Sequence, residues 1–408
     1  MSENEELYGK VFGISKGCKE GAFPKLIRHR SVLRYLALKD GCNVMKLKIM
    51  QQVVQHNGYG GPSKALQRLM KSEEMQQFDL FILEQTTTSK KHVIKVIRKY
   101  IKDIKKVKPD LIHVRGVQSD GLLCLIAAKF ARVPHVVMSV NGMASDLHQV
   151  SKIKHLIAEY VVEPLSFFLS ERAFTVYRGC LKRKKIMRFG KKVWGWIYNP
   201  LPDWDCSEKA CIKSSLRAAY GVSETDILAL CVSRITYEKG FSYVVEAIKK
   251  ARENWPTHLK IMIVGKGSYE EILRDELKWE IERNRVIVVP ATTEIQQYYF
   301  AADVFFTASL HENHSNAILE ACAAHLPVIA TDVGGNAESI ENRKGGWILQ
   351  PQNIDALVEA FNLVGNMSHN QLEQHGEMAY SYGNQKFNMH VVYKKLADFY
   401  LDVASSNK

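Results

Sequence analysis

Residues 304–324 read Val-Phe-Phe-Thr-Ala-Ser-Leu-His-Glu-Asn-His-Ser-Asn-Ala-Ile-Leu-Glu-Ala-Cys-Ala-Ala, and they contain the repeating unit of the fold. The stretch opens with Val304–Thr307, a short apolar and β-branched run of the kind that forms a buried strand. A polar segment follows, and Asn316 to Ala324 then has the composition of a helix. A strand, a loop and a helix in this order predict one βα unit of a parallel sheet.

The same unit recurs along the chain. Strand-like runs of Val, Ile and Leu alternate with helix-length segments, which predicts an α/β fold with two doubly wound, Rossmann-like domains. The strands predicted in the first half are Leu47–Val54, Asp79–Leu83, Leu111–Val114, His135–Val140, Ala173–Val176 and Trp196–Tyr198. Those predicted in the second half are Ile227–Val232, Lys260–Val264, Val286–Val289, Val304–Thr307 and Val328–Ala330.

The domain boundary is expected at Asn199–Asp203, where two prolines interrupt regular structure. We therefore divide the chain into an N-terminal extension of unknown role (1–44), a first domain (45–203), a second domain (204–385) and a closing helix (386–408). Ligands of doubly wound domains bind beyond the C-terminal ends of the strands. Two such domains that face each other form a deep cleft, where we expect the functional site.

The composition narrows the class of protein. The 408 residues are 46% hydrophobic and 24% charged, which excludes a disordered chain, a collagen and a coiled coil. No apolar run approaches the ~18 residues that a membrane-spanning helix needs, and the polar, acidic start does not resemble a secretory signal peptide. The eight cysteines include no C-x-x-C pair, so we expect free thiols in a reducing compartment.

The charge is divided unequally between the two halves. Residues 1–200 contain 36 Lys and Arg against 16 Asp and Glu, whereas residues 201–408 contain 20 against 27. A basic first domain predicts an anionic partner, such as a lipid headgroup surface, a phosphate-bearing substrate or a nucleic acid. Lys90–Lys108 and Lys182–Lys192 carry many of these cations. The segment Lys90–Lys108 has two interpretations. It is either a helix that lies on a membrane or an ordinary helix that packs on the sheet and exposes its Lys face to solvent.

An apolar segment after Lys152 and Lys154 also has two interpretations. Its large side chains are Tyr160, Val161, Leu165, Phe168 and Leu169. Core packing is the commoner outcome for such a segment, but the basic charge of the domain favours a membrane interface. We hypothesise peripheral contact between the first domain and an anionic membrane.

Two cations follow the strand Ile227–Val232. Arg234 and Lys239 lie at its C-terminal end, where a guanidinium fork and an ammonium group can converge on one diphosphate. They could also be two ordinary surface cations. Gly265 and Gly267 follow the next strand in the same way, beside a nucleotide base or in a tight turn.

Glu312 and Glu320 lie eight residues apart in the opening stretch. The first is in the loop before the helix and the second is within it, so two carboxylates could bind different parts of one elongated ligand. A carboxylate can hold a ribose diol or sugar hydroxyls, and exposed N–H groups at a helix start can hold phosphate. The alternative is a helix cap with a solvated Glu. A glycine turn, Thr331–Glu338, follows the next strand.

A third glycine turn follows the first strand, in Gln55–Lys64. Gly58, Gly60 and Gly61 would let backbone N–H groups approach an anion at a helix start. Their spacing is not G-x-G-x-x-G, which disfavours a nicotinamide site. A merely tight strand–helix turn is the alternative.

Taken in order, these motifs resemble the retaining, sugar-nucleotide-dependent glycosyltransferases of family 4, which have the GT-B fold. The second half provides R-x4-K-G, V-G-K-G, E-x7-E and D-V-G-G-N-x-E. The first half agrees at Pro109–Val114, Gly121, Ala127–Lys129, Val133–Val137 and Asn141–Gly142, and at the last of these the family usually has His-Gly. The resemblance covers roughly residues 46–361.

The resemblance implies a nucleotide-sugar donor bound mainly by the second domain, with no cofactor and no metal. Arg234 and Lys239 would hold the donor diphosphate, Glu320 would bind the ribose, and Glu312 would lie by the donor sugar. Further donor contacts are implied for Gly60, Gly61, Gly265, Gly267, His314, Ser315, Asn316 and Gly335, and acceptor or sugar contacts for Asn141 and Asp146. Glu312, Arg234 and Lys239 are the implied catalytic residues.

The expected function is therefore the retaining transfer of a sugar to a hydroxyl of a glycan or lipid-linked sugar. Bacterial surface polysaccharide or cell-envelope synthesis is the expected setting, in the cytoplasm or at the inner face of the cell membrane. A phosphorylase or nucleotide-sugar epimerase of the same fold is one alternative. A basic nucleic-acid-binding protein is another, although the sequence shows no base-reading motif.

Overall fold

The computed structural model describes residues 46–55, 61–86, 93–146 and 151–406. It confirms the predicted α/β architecture, because these residues form two parallel sheets of six strands each. The predicted extension, residues 1–44, and the turn glycines Gly58 and Gly60 lie outside the described residues.

The first sheet belongs to the first domain. Its strands are β1 Leu47–Gln55, β2 Phe78–Thr86, β3 Leu111–Arg115, β4 His135–Val140, β5 Arg172–Thr175 and β6 Val193–Trp196. The helices of this half are α1 Gly61–Lys71, α2 Val93–Val107, α3 Ser119–Phe130, α4 Lys152–Ile157, α5 Glu163–Leu169 and α6 Lys184–Met187. The strand order is β2-β1-β3-β4-β5-β6, so the direction of winding reverses between β1 and β3.

The second sheet repeats this plan. Its strands are β7 Ile227–Val232, β8 Leu259–Val264, β9 Val286–Val289, β10 Val304–Thr307, β11 Val328–Thr331 and β12 Gly346–Leu349. The order is β12-β11-β10-β7-β8-β9, so the winding reverses between β7 and β10. The helices are α7 Lys209–Ala219, α8 Phe241–Lys250, α9 Glu270–Glu276, α10 Lys278–Glu282, α11 Ile295–Ala301, α12 Asn316–Ala323, α13 Asn336–Ser339, α14 Ile354–Gly365, α15 His369–Phe387 and α16 Met389–Ser405.

The structure differs from the predicted strands in two places, one strand being misplaced and another missed. Trp196–Tyr198 was placed too late, since β6 ends at Trp196. The strand β12 was not predicted, because only Trp347, Ile348 and Leu349 follow two glycines there. So short a run gains its strand conformation by pairing with β11 at the edge of the sheet, not from local preference.

Both faces of the second sheet are buried. Leu228 and Leu230 of β7 belong to the core on one face, and Ala229 and Cys231 to the core on the other. Because successive side chains of a strand point to opposite faces, a sheet covered by helices on both sides needs strands that are apolar throughout. This requirement explains why these strands could be recognised in the sequence.

The C-terminal helix α16 crosses back and completes the core of the first domain. Phe399 and Tyr400 are fully buried there, in one cluster with Leu47 and Ile49 of β1. The Tyr400 hydroxyl lies 2.7 Å from Nδ1 of His113 and accepts a hydrogen bond of 2.9 Å from the Gln51 amide. Burial lowers the pKa of His113 well below its ordinary value, so the imidazole is neutral in this network.

The basic helix α2 packs on the sheet in the ordinary way. Tyr100 and Ile104 are buried in the core of the first domain, whereas Lys95, Lys99 and Lys102 are exposed. The Lys face of α2 is therefore exposed, while its other face packs on the sheet.

The core-packing interpretation of the segment after Lys154 is wrong for most of its side chains. Tyr160, Val161 and Phe168 are 62%, 53% and 75% exposed, and Leu165 is also exposed. Among the residues that the structure describes, no helix has the length and apolar character needed to cross a bilayer.

Removal of the Tyr400 hydroxyl tests the buried network. Tyr400→Phe is expected to lower the free energy of unfolding by about 1–3 kcal/mol, because it leaves the buried Gln51 amide nitrogen without a partner and removes the nearer of the two hydrogen-bond partners of His113 Nδ1. Tyr393→Phe is the matched control, since the buried Tyr393 hydroxyl has no hydrogen-bond partner among the described residues and its loss should be nearly neutral. Urea denaturation of the two variants measures the difference, and equal stabilities would show that the network contributes nothing.

Candidate active site

A cavity of about 450 Å³ lies between the two domains, at the C-terminal ends of both sheets. The first domain contributes Gln52 of β1 and Arg115 of β3, and the second domain contributes Arg234 and Lys239 after β7 and Glu312 after β10. The cavity therefore lies at the two points where the strand orders reverse, where doubly wound folds bind their ligands.

Lys239 and Glu312 form an ion pair in this cavity. Nζ of Lys239 donates to Oε1 of Glu312 at 2.5 Å, and the Ser309 hydroxyl donates to the same oxygen at 3.0 Å. The Lys and Glu side chains are 18% and 15% exposed. The two loops thus hold the Glu312 carboxylate and the Lys239 side chain together at one face of the cavity.

Gly240 brings these two loops into contact. Its φ of +75° is left-handed, and a Cβ added there would lie 1.9 Å from the Ala308 carbonyl oxygen. Leu310 N–H also donates to the Glu238 carbonyl at 2.9 Å, so the turn after β7 lies directly on the segment after β10. Only glycine permits this approach, which places Lys239 beside Glu312.

Gly334 and Gly335 support the Glu312 loop from its other side. A Cβ on Gly334, whose φ is +59°, would lie 2.0 Å from the Glu312 carbonyl oxygen. Gly335 N–H donates to the Asn313 carbonyl at 2.6 Å. Gly335, predicted as a donor contact, packs against the backbone of the loop and is not among the residues that line the cavity.

Gly265 and Gly267 have a similar position behind the Arg234 loop. A Cβ at either residue would lie within 2.2 Å of a carbonyl oxygen, that of Ser233 or of Ile235. Ile235 N–H donates to the Lys266 carbonyl at 3.0 Å. The structure thus places these two predicted donor contacts in a tight turn that supports Arg234, outside the cavity lining.

Arg234 lines the cavity with most of its side chain accessible. The side chain is 70% exposed, and its guanidinium lies 3.8 Å from the Glu238 carboxylate. An exposed guanidinium with so distant a partner can move towards an anionic ligand at little cost.

The start of α12 also points to the cavity. Asn316 lines it, and the preceding Ser315 makes no capping hydrogen bond with its side chain. Glu320 lies one turn further along α12, where the Tyr299 hydroxyl donates to its carboxylate at 3.0 Å. Glu320 is therefore on the helix that borders the cavity but is not among the lining residues.

His314 joins the second domain to the interdomain linker. Its Nδ1 accepts from Asn199 N–H at 3.1 Å, and its carbonyl accepts from the Asn199 side-chain amide at 2.9 Å. The ring packs against Tyr198 and Phe387. Burial lowers the pKa of His314 to about 3, so the imidazole stays neutral at ordinary pH.

A second connection between the domains is made by Glu338. Its carboxylate accepts from the backbone N–H groups of Arg178 and Gly179 at 2.9 and 2.6 Å. The Tyr198 hydroxyl donates to it at 2.8 Å. The domains therefore meet through hydrogen bonds on both sides of the linker.

The predicted acceptor-side residues also lie at the cavity. Asn141, Gly142 and Asp146 line it. Arg183 donates two hydrogen bonds to the Asp146 carboxylate, at 2.9 and 2.5 Å, and His311 of the second domain lies 3.8 Å from it. Burial alone would raise the pKa of Asp146, but the Arg183 guanidinium holds it below its ordinary value, so Asp146 is ionised.

The first glycine turn is only partly described. Gly61 is the first residue of α1, the helix whose Arg68 lines the cavity, and Gly60 lies outside the described residues.

Sequence reasoning missed Gln52 and Arg68, and did not select Arg115. Arg115 directly follows a predicted strand, so the rule that ligands bind at strand ends could have identified it. Arg68 is in the last turn of an ordinary helix, and nothing in the sequence distinguishes it.

Across the described part of the chain, no group of three or more His, Cys, Asp or Glu side chains could hold a metal ion.

Two family models match the chain in order. The model described as glycosyl transferase 4-like matches residues 63–171, within the first domain. The model described as glycosyl transferases group 1 matches residues 213–382, within the second domain. Arg68 and Arg115 of the cavity thus lie in the first matched segment, and Arg234, Lys239 and Glu312 lie in the second.

Three curated relatives have similar sequences over part of their length. An uncharacterized glycosyltransferase of Methanocaldococcus jannaschii is 30% identical over 40% of this chain and 42% of its own. An alpha-monoglucosyldiacylglycerol synthase of Acholeplasma laidlawii is 26% identical over 57% of this chain and 61% of its own. A UDP-Gal:alpha-D-GlcNAc-diphosphoundecaprenol alpha-1,3-galactosyltransferase of Escherichia coli is 28% identical over 63% of this chain and 66% of its own. The chain thus matches less than two thirds of the length of each.

The fold has solved counterparts. The crystal structure of the Anabaena protein HepE in complex with UDP-glucose superposes with a TM-score of 0.71 over 87% of this chain and 100% of that one, at 18% identity. The two proteins share the arrangement of both domains.

Acidification tests the buried imidazole of His314. In the unfolded chain this group titrates near the ordinary histidine pKa of about 6.5, whereas its pKa in the folded protein is about 3. The unfolded state therefore binds more protons in this window, and stability falls as the pH decreases. We expect a loss of about 2 kcal/mol between about pH 7 and pH 5 from His314 alone, and a loss in the same direction from His113.

His314→Asn is the informative variant, since the Asn oxygen can accept the Asn199 hydrogen bond without titrating. Urea denaturation at several pH values should show a smaller pH dependence for this variant than for the wild type. Identical slopes for the two proteins would contradict the assignment of a buried neutral His314.

Proposed function

We propose that the chain is a glycosyltransferase with the GT-B fold and that it transfers a sugar from a nucleoside-diphosphate sugar to an acceptor hydroxyl with retention of configuration. The acceptor is a glycan or a lipid-linked sugar. The single observation that supports this most strongly is the Lys239–Glu312 ion pair at the reversal point between β7 and β10, on the wall of the interdomain cavity.

The second-domain wall has the groups that a departing diphosphate needs. Arg234 and Lys239 provide two cations, and the uncapped start of α12 provides backbone N–H groups. Fixed positive charges stabilise the negative charge that develops on a leaving group, in the role that a metal ion plays elsewhere. We therefore assign donor binding to this wall and expect transfer without a metal.

The reaction breaks the bond between the anomeric carbon and the diphosphate oxygen, and the electron pair leaves with the nucleoside diphosphate. The acceptor oxygen then bonds to the anomeric carbon on the same face. Its proton passes to the leaving phosphate oxygen, so the charge and atoms balance. Arg234 and Lys239 lower the barrier by favouring the charge on the diphosphate.

Glu312 has two tasks in this scheme. Its carboxylate orients Lys239 through their ion pair at 2.5 Å. Once the diphosphate engages Lys239, the carboxylate is available to accept hydrogen bonds from donor-sugar hydroxyls. Ser309 keeps it in place through the second hydrogen bond, at 3.0 Å.

The relatives suggest the class of pathway. The Escherichia coli relative is named for a diphosphoundecaprenol-linked acceptor and the Acholeplasma relative for a glucosyldiacylglycerol product. We propose a bacterial surface polysaccharide or cell-envelope glycan as the product of the pathway. A test should begin with UDP-glucose, which the HepE crystal structure contains.

Loss of the cavity lysine tests the function. Lys239→Ala is expected to reduce kcat by about 100-fold or more, because the diphosphate charge loses a fixed cation. Lys249→Ala is the matched control, since Lys249 pairs with Glu276 at 2.6 Å on the exposed surface of α8, away from the cavity. Activity is measured by release of nucleoside diphosphate from a panel of nucleotide sugars, and the anomeric configuration of the product by NMR.

Wild-type turnover by Lys239→Ala would contradict the assignment. An inverted product would contradict retention while leaving the transfer itself intact. Glu312→Ala should also abolish transfer, and circular dichroism should show that both variants keep the fold.

A second proposal concerns residues 152–169, which form one helical run through α4, a π-helical turn at Ala158–Val162 and α5. Its exposed apolar side chains recur every three or four residues, so they share one side of the run. This apolar stripe consists of Ile153, Leu156, Ile157, Tyr160, Val161, Leu165 and Phe168, which are 37–75% exposed. A surface of this size and character marks an interaction site.

The charges around the apolar stripe indicate its partner. Lys152, Lys154 and Arg188 are exposed beside it. The nearby Glu159 carboxylate is matched by Lys185 and Arg188 at 3.7 and 3.8 Å. An apolar stripe with a basic border fits an anionic lipid surface, and we further propose that the first domain docks on one.

The apolar stripe is also connected to the cavity. Ser145 N–H donates to the Glu163 carboxylate of α5 at 2.7 Å, and Lys185 donates to the Ser145 hydroxyl at 2.7 Å. Ser145 precedes Asp146, which lines the cavity. Docking through the apolar stripe would thus place a lipid-linked acceptor close to the catalytic groups.

Flotation with vesicles tests the docking. The wild type should float with phosphatidylglycerol vesicles at low salt and much less with phosphatidylcholine alone, because both the lysines and the apolar stripe contribute. Ile153→Ser/Phe168→Ser should abolish flotation. Ile272→Ser/Leu363→Ser removes two exposed apolar side chains from the second domain and should change nothing. Failure of the wild type to float, or an equal loss in the control, would refute the docking surface.

A further inference from the structure

The wall of the cavity opposite Arg234 and Lys239 contains two more guanidinium groups. Arg68 extends from α1 and Arg115 from the end of β3, and both line the cavity together with Gln52 of β1. These three side chains form what we call the arginine wall. It lies at the reversal point of the first sheet, between β1 and β3.

Three carboxylates at the cavity each form an ion pair with a basic side chain, but not with either arginine of the arginine wall. Glu312 pairs with Lys239, Glu238 with Arg234 and Asp146 with Arg183. Neither Arg68 nor Arg115 forms an ion pair with any carboxylate of the described residues. Asp120, which also lines this side, has interactions of its own. Two cations therefore face the cavity without an acidic partner in the described chain.

The hydrogen-bond donors of the arginine wall are only partly used. Arg115 donates from one Nη to the Gln51 side-chain oxygen at 3.0 Å, and its backbone N–H donates to the Gln52 oxygen at 2.9 Å. The Gln52 side chain is fully buried, and its amide also lies within hydrogen-bonding reach of the Tyr100 hydroxyl. Nε of Arg68 and Nε of Arg115 are buried without a partner among the described residues. Buried donors without partners are unusual in folded proteins and indicate a missing acceptor.

The surroundings of Arg115 favour an anion. Burial lowers the pKa of its guanidinium, and the hydroxyl groups of Tyr400 and Tyr393 are the groups that oppose this effect. A desolvated cation gains more from a bound anion than a cation in water does.

We propose that the arginine wall binds a phosphate group of the acceptor. The assignment rests on the proposed function, because it takes the donor diphosphate to occupy the opposite wall with Arg234 and Lys239. Two planar guanidinium forks match a group with three or more oxygens better than a carboxylate with two. The acceptor is accordingly a phosphate-linked sugar, with its phosphate held by the first domain.

Calorimetric titration of the full chain with inorganic pyrophosphate tests this assignment. The protein is first saturated with UDP, so that the donor wall is occupied. We expect the wild type to bind pyrophosphate under these conditions. Arg68→Gln and Arg115→Lys should each weaken pyrophosphate binding by about tenfold or more, because each loses a fork, while the affinity for UDP stays within about twofold.

Two further variants make the result specific. Arg98→Gln removes an exposed arginine of α2 in the same domain and should change neither affinity. Arg234→Gln should weaken UDP and leave pyrophosphate binding to the arginine wall intact. Thermal melting of each variant shows whether the fold is kept, and Arg68→Gln suffices if Arg115→Lys does not fold.

The outcomes separate this inference from the proposed function. If UDP does not bind, the donor assignment fails. Titration with pyrophosphate alone then still tests the arginine wall, because Arg68→Gln should weaken pyrophosphate binding more than Arg234→Gln does. The inference is overturned if pyrophosphate does not bind, if Arg68→Gln and Arg115→Lys bind it like the wild type, or if they lose UDP instead. Binding of glucuronate in place of pyrophosphate would identify a carboxylate site and would also overturn it.

Discussion

The candidate site depends on close backbone contact between the turns that end neighbouring strands of the second sheet. Gly240 lies on Ala308 after β10, and Gly334 lies on the carbonyl of Glu312. A side chain at either glycine would collide with a carbonyl oxygen about 2 Å away. The absence of two Cβ atoms thus brings Lys239 and Glu312 together, since the loops that carry them could not otherwise approach. The glycines are structural, and the chemistry belongs to the side chains that they position.

Hydrogen bonds between the two domains fix their relative position. His314 holds the linker at Asn199, and Glu338 accepts three hydrogen bonds from the first domain and the linker region. The helix α16 adds its aromatic residues to the core of the first domain. Because the chain crosses between domains twice, the width of the cavity depends on these polar contacts as well as on the linker. The buried, neutral His314 makes one of these polar contacts. Because protonation of His314 would disturb that contact, the position of the two domains is sensitive to low pH.

The two walls of the cavity are chemically similar but are used differently in the proposed reaction. The cations after β7 lie beside carboxylates that they can leave when a diphosphate binds, whereas the arginine wall has no carboxylate partner in the described residues. The apolar stripe, bonded through Ser145 to the segment at the cavity, gives the first domain a surface suited to lipid. Both features add positive charge to the first domain, at the surfaces where the proposed acceptor and membrane would contact it.

The sequence by itself determined the layered fold, because strands buried on both faces must be apolar throughout and can be recognised without knowledge of their partners. It also selected Arg234, Lys239 and Glu312 as candidates, since each lies in a loop after a strand, and the structure places all three at the cavity. It could not locate β12, whose strand conformation comes from pairing, nor the exposure of Tyr160 and Phe168, since an apolar helix face has the same sequence pattern whether a core or water covers it. Nor could it assign Gly265, Gly267 and Gly335 to supporting turns, or bring Arg68 to the cavity. Those outcomes depend on which backbones meet across long separations in the chain, and only the tertiary structure decided them.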